Sequence, residues 1–124
     1  MYGRSDAEWE QLVAAGTEFL DECVRSGRTT SYTELTNKLV ERTGTRAFDF
    51  SLEKDRRAVG YLLGQIVTRD FPTRRFMLSA VVRYSDSNDA GPGFYKLAQQ
   101  MGLLKPNTDR LAFWTEQLRG LGVR

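Results

Sequence analysis

The side chains that most often carry catalysis are scarce in this sequence. Histidine is absent and cysteine occurs once, as Cys23. That removes the commonest general base, the commonest zinc ligand and the commonest switch near neutral pH. A structural zinc site would have to rest on carboxylates almost alone, so no metal or other cofactor is expected. The acids Asp49, Glu53 and Asp55 cluster ahead of a helical segment, and carboxylates around Mg²⁺ can build a nuclease. Glu53 and Asp55, two positions apart on a helix, point apart. The acid followed by E-x-K that marks a nuclease strand is missing, and the three acids read more simply as a favourable helix start. Ser79 has no base placed beside it by the sequence. The reading is a non-enzyme.

What remains is charge and its distribution. Arginine outnumbers lysine by 14 to 4, and the net charge is +2. Residues 1–27 carry −4, residues 28–83 carry +5 and residues 84–124 carry +1. The planar guanidinium fork suits bidentate contact with phosphate or carboxylate. The basic middle of the chain therefore points to a nucleic-acid partner, double-stranded DNA in the first instance.

Those residues must be positioned by the elements around them. Over residues 6–25, Trp9, Leu12, Val13, Gly16, Phe19, Leu20, Cys23 and Val24 recur at the spacing of one helical stripe. Ser5 or Asp6 can cap this helix and Gly27 can stop it. Cys23 lies on the stripe and reads as a buried small hydrophobe. Ser31-Tyr32-Thr33-Glu34 has the capping-box pattern and opens a second helix that Gly44 ends. Residues 45–52 connect it to a third helix over 53–70, closed by Phe71-Pro72. Val59, Leu62, Leu63, Ile66 and Val67 form its inner side; Arg57, Tyr61, Gly64, Gln65 and Thr68 form the opposite one. Residues 76–82 read as a strand. A loop over 84–93 follows, then a helix over 92–101 with Phe94, Leu97, Ala98 and Met101 inward. A last helix, capped by Asn107 or Thr108, has Leu111, Trp114, Leu118 and Leu121 as its stripe.

Three helices, a strand and an irregular loop is the order of a winged helix-turn-helix. The fold class is α+β: a mostly helical, winged helix-turn-helix-like domain with a small sheet and two extra C-terminal helices. It forms one domain over 1–124, with its N-terminal helix in 1–28, the helix-turn-helix and strand in 29–83, and the loop and last helices in 84–124. In that arrangement Arg57, Tyr61, Gln65 and Thr68 are the reading surface, while Arg74, Arg75 and Arg83 approach phosphates. The alternative is a protein-interaction module on the same scaffold, with exposed aromatics such as Tyr2, Tyr61 and Tyr84 as anchors.

Thr30-Ser31-Tyr32-Thr33-Glu34-Leu35 followed by Arg57-Ala58-Val59-Gly60 resembles the DNA-binding domain of the alkylguanine-DNA alkyltransferases and the alkyltransferase-like proteins. The resemblance covers residues 29–83. It implies that Tyr32 helps position the phosphate of a displaced nucleotide and that Arg57 fills the space left in the stack. Where that family has proline, cysteine and histidine, this chain has Leu78-Ser79-Ala80. No thiolate can form there, so alkyl transfer is not implied. Leu78 to Val82 with Gly91-Pro92-Gly93-Phe94-Tyr95 is also similar to a pattern in small bacterial proteins of unassigned function. The Gly91-Pro92-Gly93 segment reads as a turn into a helix.

At 124 residues, 40% of them hydrophobic and 27% charged, the chain can bury a core and is neither collagenous nor wholly disordered. Its apolar runs are too short to cross a membrane, and the acidic first residues are unlike a signal peptide. A cytoplasmic location without a membrane partner is the expectation.

Overall fold

Helix α1 (Asp6–Arg25) begins where the sequence offers a cap: the Ser5 hydroxyl accepts the Glu8 backbone N–H at 3.1 Å. In this computed structural model, which describes residues 1–84 and 87–123, its apolar stripe from Trp9 to Cys23 is buried. Gly27, at φ +65°, lets the chain turn away, with Arg28 N–H bonded back to the Cys23 carbonyl. The chain then forms β1 (Thr30–Ser31), and Ser31 caps α2 (Tyr32–Thr43) by accepting the Glu34 N–H. Only half of the expected capping box forms. The Glu34 carboxylate accepts from the Thr30 hydroxyl and from Arg28 instead. Gly44 ends α2 in the left-handed region.

The connection to the third helix is held by two buried charged residues. The Arg4 guanidinium donates to the carbonyl of Arg46 at 2.8 Å and lies over the Phe48 ring. Asp55 accepts the Asp49 N–H at 2.7 Å. Helix α3 (Glu53–Arg74) buries Ala58, Val59, Leu62, Leu63, Ile66 and Val67, as the inner stripe requires. It continues past Pro72, contrary to the expected stop at Phe71-Pro72. A proline near the end of a helix costs one hydrogen bond. The last turn is tied down by Arg74, which bonds Asp70 at 2.7 Å and Asp21 of α1 at 3.1 Å.

The expected strand over 76–82 is corrected to a 3₁₀ turn (Leu78–Val81) followed by the two-residue β2 (Val82–Arg83). Leu78, Ser79, Ala80 and Val81 are all buried. A short apolar run without alternation does not distinguish a strand from a buried turn, and the available partner, β1, is two residues long. The two pair in parallel, Thr30 with Val82 and Ser31 with Arg83, and Arg83 also bridges Ala90. Of the loop expected over 84–93, residues 85 and 86 lie outside the described residues. Helix α4 (Pro92–Gln100) follows with Pro92 in its first turn. Helix α5 (Arg110–Leu121) is capped by Asp109, which accepts from the N–H groups of Leu111 and Ala112. It is not capped by Asn107 or Thr108. Leu111 is therefore in the first turn and 51% exposed, and Phe113 takes its place in the core. The result is a mostly helical fold with a small two-stranded sheet around one cluster of buried side chains running from Trp9 to Val123. No described helix is long and apolar enough to cross a membrane.

Two measurements check this packing. Cys23 is fully buried, and burial pushes its thiol pKa up. Native protein should label with a thiol reagent far more slowly than denatured protein, and Cys23→Ser should cost about 1–3 kcal/mol by placing a hydroxyl there. Equal labelling rates would undock α1. The second measurement concerns Glu34, whose carboxyl is held below the ordinary value of 4.5 by its bonds from Thr30 and then Arg28. A lowered folded value means stability that is present above pH 4.5 and lost as pH falls through the folded value. The Glu34 side chain is 40% exposed, so solvent screens the effect. Glu34→Gln should be less stable than wild type at pH 7, and the difference should shrink towards pH 3. A gap that stays constant on acidification would remove Glu34 from the acid response.

Candidate functional site

Because α3 spends its 58/59/62/63/66/67 side on the core, its other side is left facing outward. Arg56, Arg57, Gly60 and Thr68 on this side are exposed. The same side forms one wall of a cleft of about 1020 Å³ whose opposite wall is α4. Arg56, Arg57, Gly60, Tyr61, Gly64, Gln65 and Thr68 line the α3 wall, and Gly93, Lys96, Leu97 and Gln100 line the α4 wall. From Arg57 to Thr68 the wall is about 16 Å long at 1.5 Å per residue. A second lobe of about 680 Å³ adjoins it and shares Tyr32, Arg56, Gly60 and Gly93 with the first.

Tyr32 stands where the lobes meet, in the first turn of α2. Burial, with Tyr84 nearby, raises its pKa, so the phenol stays protonated and can donate. A Cβ at Gly91 would meet the Tyr32 hydroxyl at 2.7 Å, so the backbone ahead of α4 approaches the ring because residue 91 is glycine. Phe50 and Tyr84 both stand edge-on to Tyr32, with ring centroids 6.2 and 6.3 Å from it. In the larger lobe, Tyr61 is half-buried rather than free, packed edge-on against Trp9 at 4.8 Å and tilted against Tyr2 at 5.8 Å.

The charge lining the larger lobe is Arg56, Arg57 and Lys96 against Glu53. Arg57 pairs with Glu53 at 2.7 Å, both side chains 67% exposed, a pair of small energy that a stronger acceptor can replace. Arg56 donates to the Phe50 carbonyl at 2.6 Å. Lys96 has no ion pair among the described residues. Ser79, carried by the 3₁₀ turn, also lines this lobe; its residue is 4% exposed and its hydroxyl has no hydrogen-bond partner. A buried hydroxyl left unmatched costs about 1–3 kcal/mol, which a ligand offering a polar atom there would recover.

Five of the residues expected from the sequence, Tyr32, Arg57, Tyr61, Gln65 and Thr68, line this cleft; Arg74, Arg75 and Arg83 do not. Arg74 is engaged by Asp21 and Asp70 on the side of α3 that meets α1. Arg75 follows the last turn of α3 in the left-handed region, about 27 Å along the helix from Arg57. The Arg83 Nε donates to the Thr29 hydroxyl at 2.8 Å. The sequence reading missed Arg56, Lys96, Gln100 and the position of Ser79. Arg56 and Gly60 are legible on a helical wheel beside Arg57 and Gly64. The α4 wall is not, since its partner is set only by tertiary packing. The acids Asp49, Glu53 and Asp55 are spent separately, on Ser51, Arg57 and the Asp49 N–H, and no group of three or more His, Cys, Asp or Glu side chains gathers for a metal among the described residues. No protein-family model, curated protein or solved structure matches the chain.

Proposed function

We propose that the cleft between α3 and α4 is the nucleic-acid-binding surface of a non-catalytic, winged-helix-like DNA-binding domain. The observation that carries this reading is the convergence of Arg56, Arg57 and Lys96 with the rings of Tyr32 and Tyr61 on one cleft. Cations release counterions from phosphates and aromatic faces accept bases, the two contacts a nucleic-acid site needs. The helix order α1–α2–α3 followed by β2 supports the winged-helix reading. The alkyltransferase resemblance adds support of its own, because the residues to which it assigns nucleotide contacts, Tyr32 and Arg57, line the same cleft despite being on different helices. A protein-docking face has weaker support: of its expected anchors Tyr2, Tyr61 and Tyr84 only Tyr84 is exposed, and the other exposed large hydrophobics are Met1, Leu52 and Leu111.

A salt-dependent titration tests the proposal. Labelled DNA should bind with an affinity that falls linearly on a log–log plot as salt rises, by about 0.9 per phosphate neutralised on a duplex. No detectable binding at micromolar protein in about 50 mM salt, where electrostatic contacts are strong, would overturn it and move the protein-docking alternative to first place.

A further inference from the structure

We infer that the nucleic acid this cleft accepts is an unpaired strand lying along it, rather than a duplex read by α3. The inference rests on the DNA-binding reading and names its substrate class. A helix that reads a duplex enters a major groove about 12 Å wide, so its outer side must stand clear of the protein. Here that side of α3 faces α4 across a trough. The two lobes are joined where Gly60 and Gly93 line both, and a Cβ at either glycine would meet no atom within 4 Å. Neither glycine has a positive φ, so neither backbone conformation nor packing asks for glycine. Glycine inside a helix also weakens it relative to alanine. What these positions supply is open width between the lobes, and Gly64 extends that width along α3 under the same conditions.

A second, independent observation points to a ligand. Ser79 lines the larger lobe in a residue 4% exposed, and its hydroxyl, buried just behind the wall, has no partner. The Watson–Crick edge of an unpaired base offers the donor or acceptor it lacks, whereas in a duplex that edge is spent on pairing and only the groove edges are presented. Aromatic platforms stand in both lobes, Tyr61 in one and Tyr32, Phe50 and Tyr84 in the other. Arg56, shared by the lobes, is placed to meet the phosphate between two bases. Stacking platforms beside a basic track are the recurrent chemistry of single-strand binding.

The test uses the full chain with a fluorescent oligothymidine of about ten nucleotides and a duplex of equal length, within the range of single-strand site sizes. The oligothymidine should bind at least about tenfold more tightly, with a salt slope of about 0.7 per phosphate contacted. Gly60→Leu should keep or raise the melting temperature, since leucine is the better helix former, and should weaken oligothymidine binding about tenfold or more. Gly93→Leu closes the trough from the other wall and repeats the test should Gly60→Leu fail to fold. Duplex binding as tight as or tighter than the strand would overturn this inference and leave the DNA-binding reading standing. A folded Gly60→Leu or Gly93→Leu protein that binds the strand like wild type would also overturn it. Binding of neither probe would overturn the DNA-binding reading itself.

Discussion

Replacing Arg56, Arg57 and Lys96 together with alanine is expected to lower nucleic-acid affinity about a hundredfold or more at 0.1 M salt and to flatten the log–log salt slope by about two to three. The magnitude follows from counterion release, in which each phosphate contact at that ionic strength is worth about 0.7 decade on a single strand and about 0.9 on a duplex. Folding should survive the change. The Arg57–Glu53 pair is exposed on both sides, and Arg56 and Lys96 are themselves exposed. Circular dichroism and a thermal melt would verify this. Arg74→Ala is the informative control. Its guanidinium is committed to Asp21 and Asp70, so its loss should lower stability by about 1 kcal/mol or more, as for a partly buried paired charge, and leave affinity within about twofold. A triple variant that keeps the wild-type slope would remove the cleft from DNA binding. An Arg74 variant that loses slope while staying folded would place the phosphates on the α1 side of α3 instead.

The contrast between Arg57 and Arg74 shows what the sequence carries and what it does not. Both are arginines on one helix, seventeen residues apart. Periodicity alone separates the inner from the outer side of α3, because Ala58, Val59, Leu62, Leu63, Ile66 and Val67 fall on one side of the helix. It therefore sets Arg57, Tyr61, Gln65 and Thr68 on the side away from the stripe, where Arg57 and Thr68 are exposed and Tyr61 and Gln65 half-buried. It is silent about a neighbour. Of the two acids that hold Arg74, Asp70 is four residues before it on the same helix, but Asp21 is 53 residues earlier in the chain, and nothing in the local pattern of either segment announces that second pair. The α4 wall has the same origin: Gly93, Lys96, Leu97 and Gln100 share a side of a helix, yet only the packed structure sets that side against α3.

The ends of α1 and α2 and the stripe of α1 are legible for a related reason, whereas the cap and first stripe residue of α5 are not. Ser5, Ser31, Gly27 and Gly44 act within a few residues of themselves, and α1 needs one stripe against one core. The segment from 76 to 82 is not legible in this way. Within it, Met77 to Val82 are all buried, apolar apart from Ser79, so no alternation records which way the backbone runs. Its conformation is imposed by a residue far along the chain, Trp114 of α5, whose indole N–H donates to the Ala80 carbonyl at 2.8 Å. Gln117, one turn on, accepts the Met77 N–H at 2.8 Å. Backbone groups that a strand would have matched to a neighbour are matched here by side chains of α5.

Trp114→Ala is accordingly expected to cost about 3–5 kcal/mol, the range for deleting a large buried aromatic. Against a total stability of about 5–15 kcal/mol for a domain of this kind, the variant should sit near the edge of folding. Trp114 is 7% exposed and its hydrogen bond to Ala80 is buried, so two losses coincide: packing volume, and a carbonyl left without a donor. Trp114→Phe separates them. It keeps most of the apolar volume and removes the N–H, and should cost about 1–3 kcal/mol, the penalty for an unmatched buried carbonyl. Equilibrium urea unfolding would measure both, with Trp9 remaining as the fluorescent reporter, and the m-values should stay alike if only native-state contacts change. Because Ala80 adjoins Ser79 in the same turn, Trp114→Phe should also weaken binding of a single strand while the salt slope, set by Arg56, Arg57 and Lys96, stays as in wild type. A Trp114→Phe protein as stable as wild type would show that the turn does not depend on the hydrogen bond. One as damaged as Trp114→Ala would show that the bond, and not the volume, carries the attachment of α5.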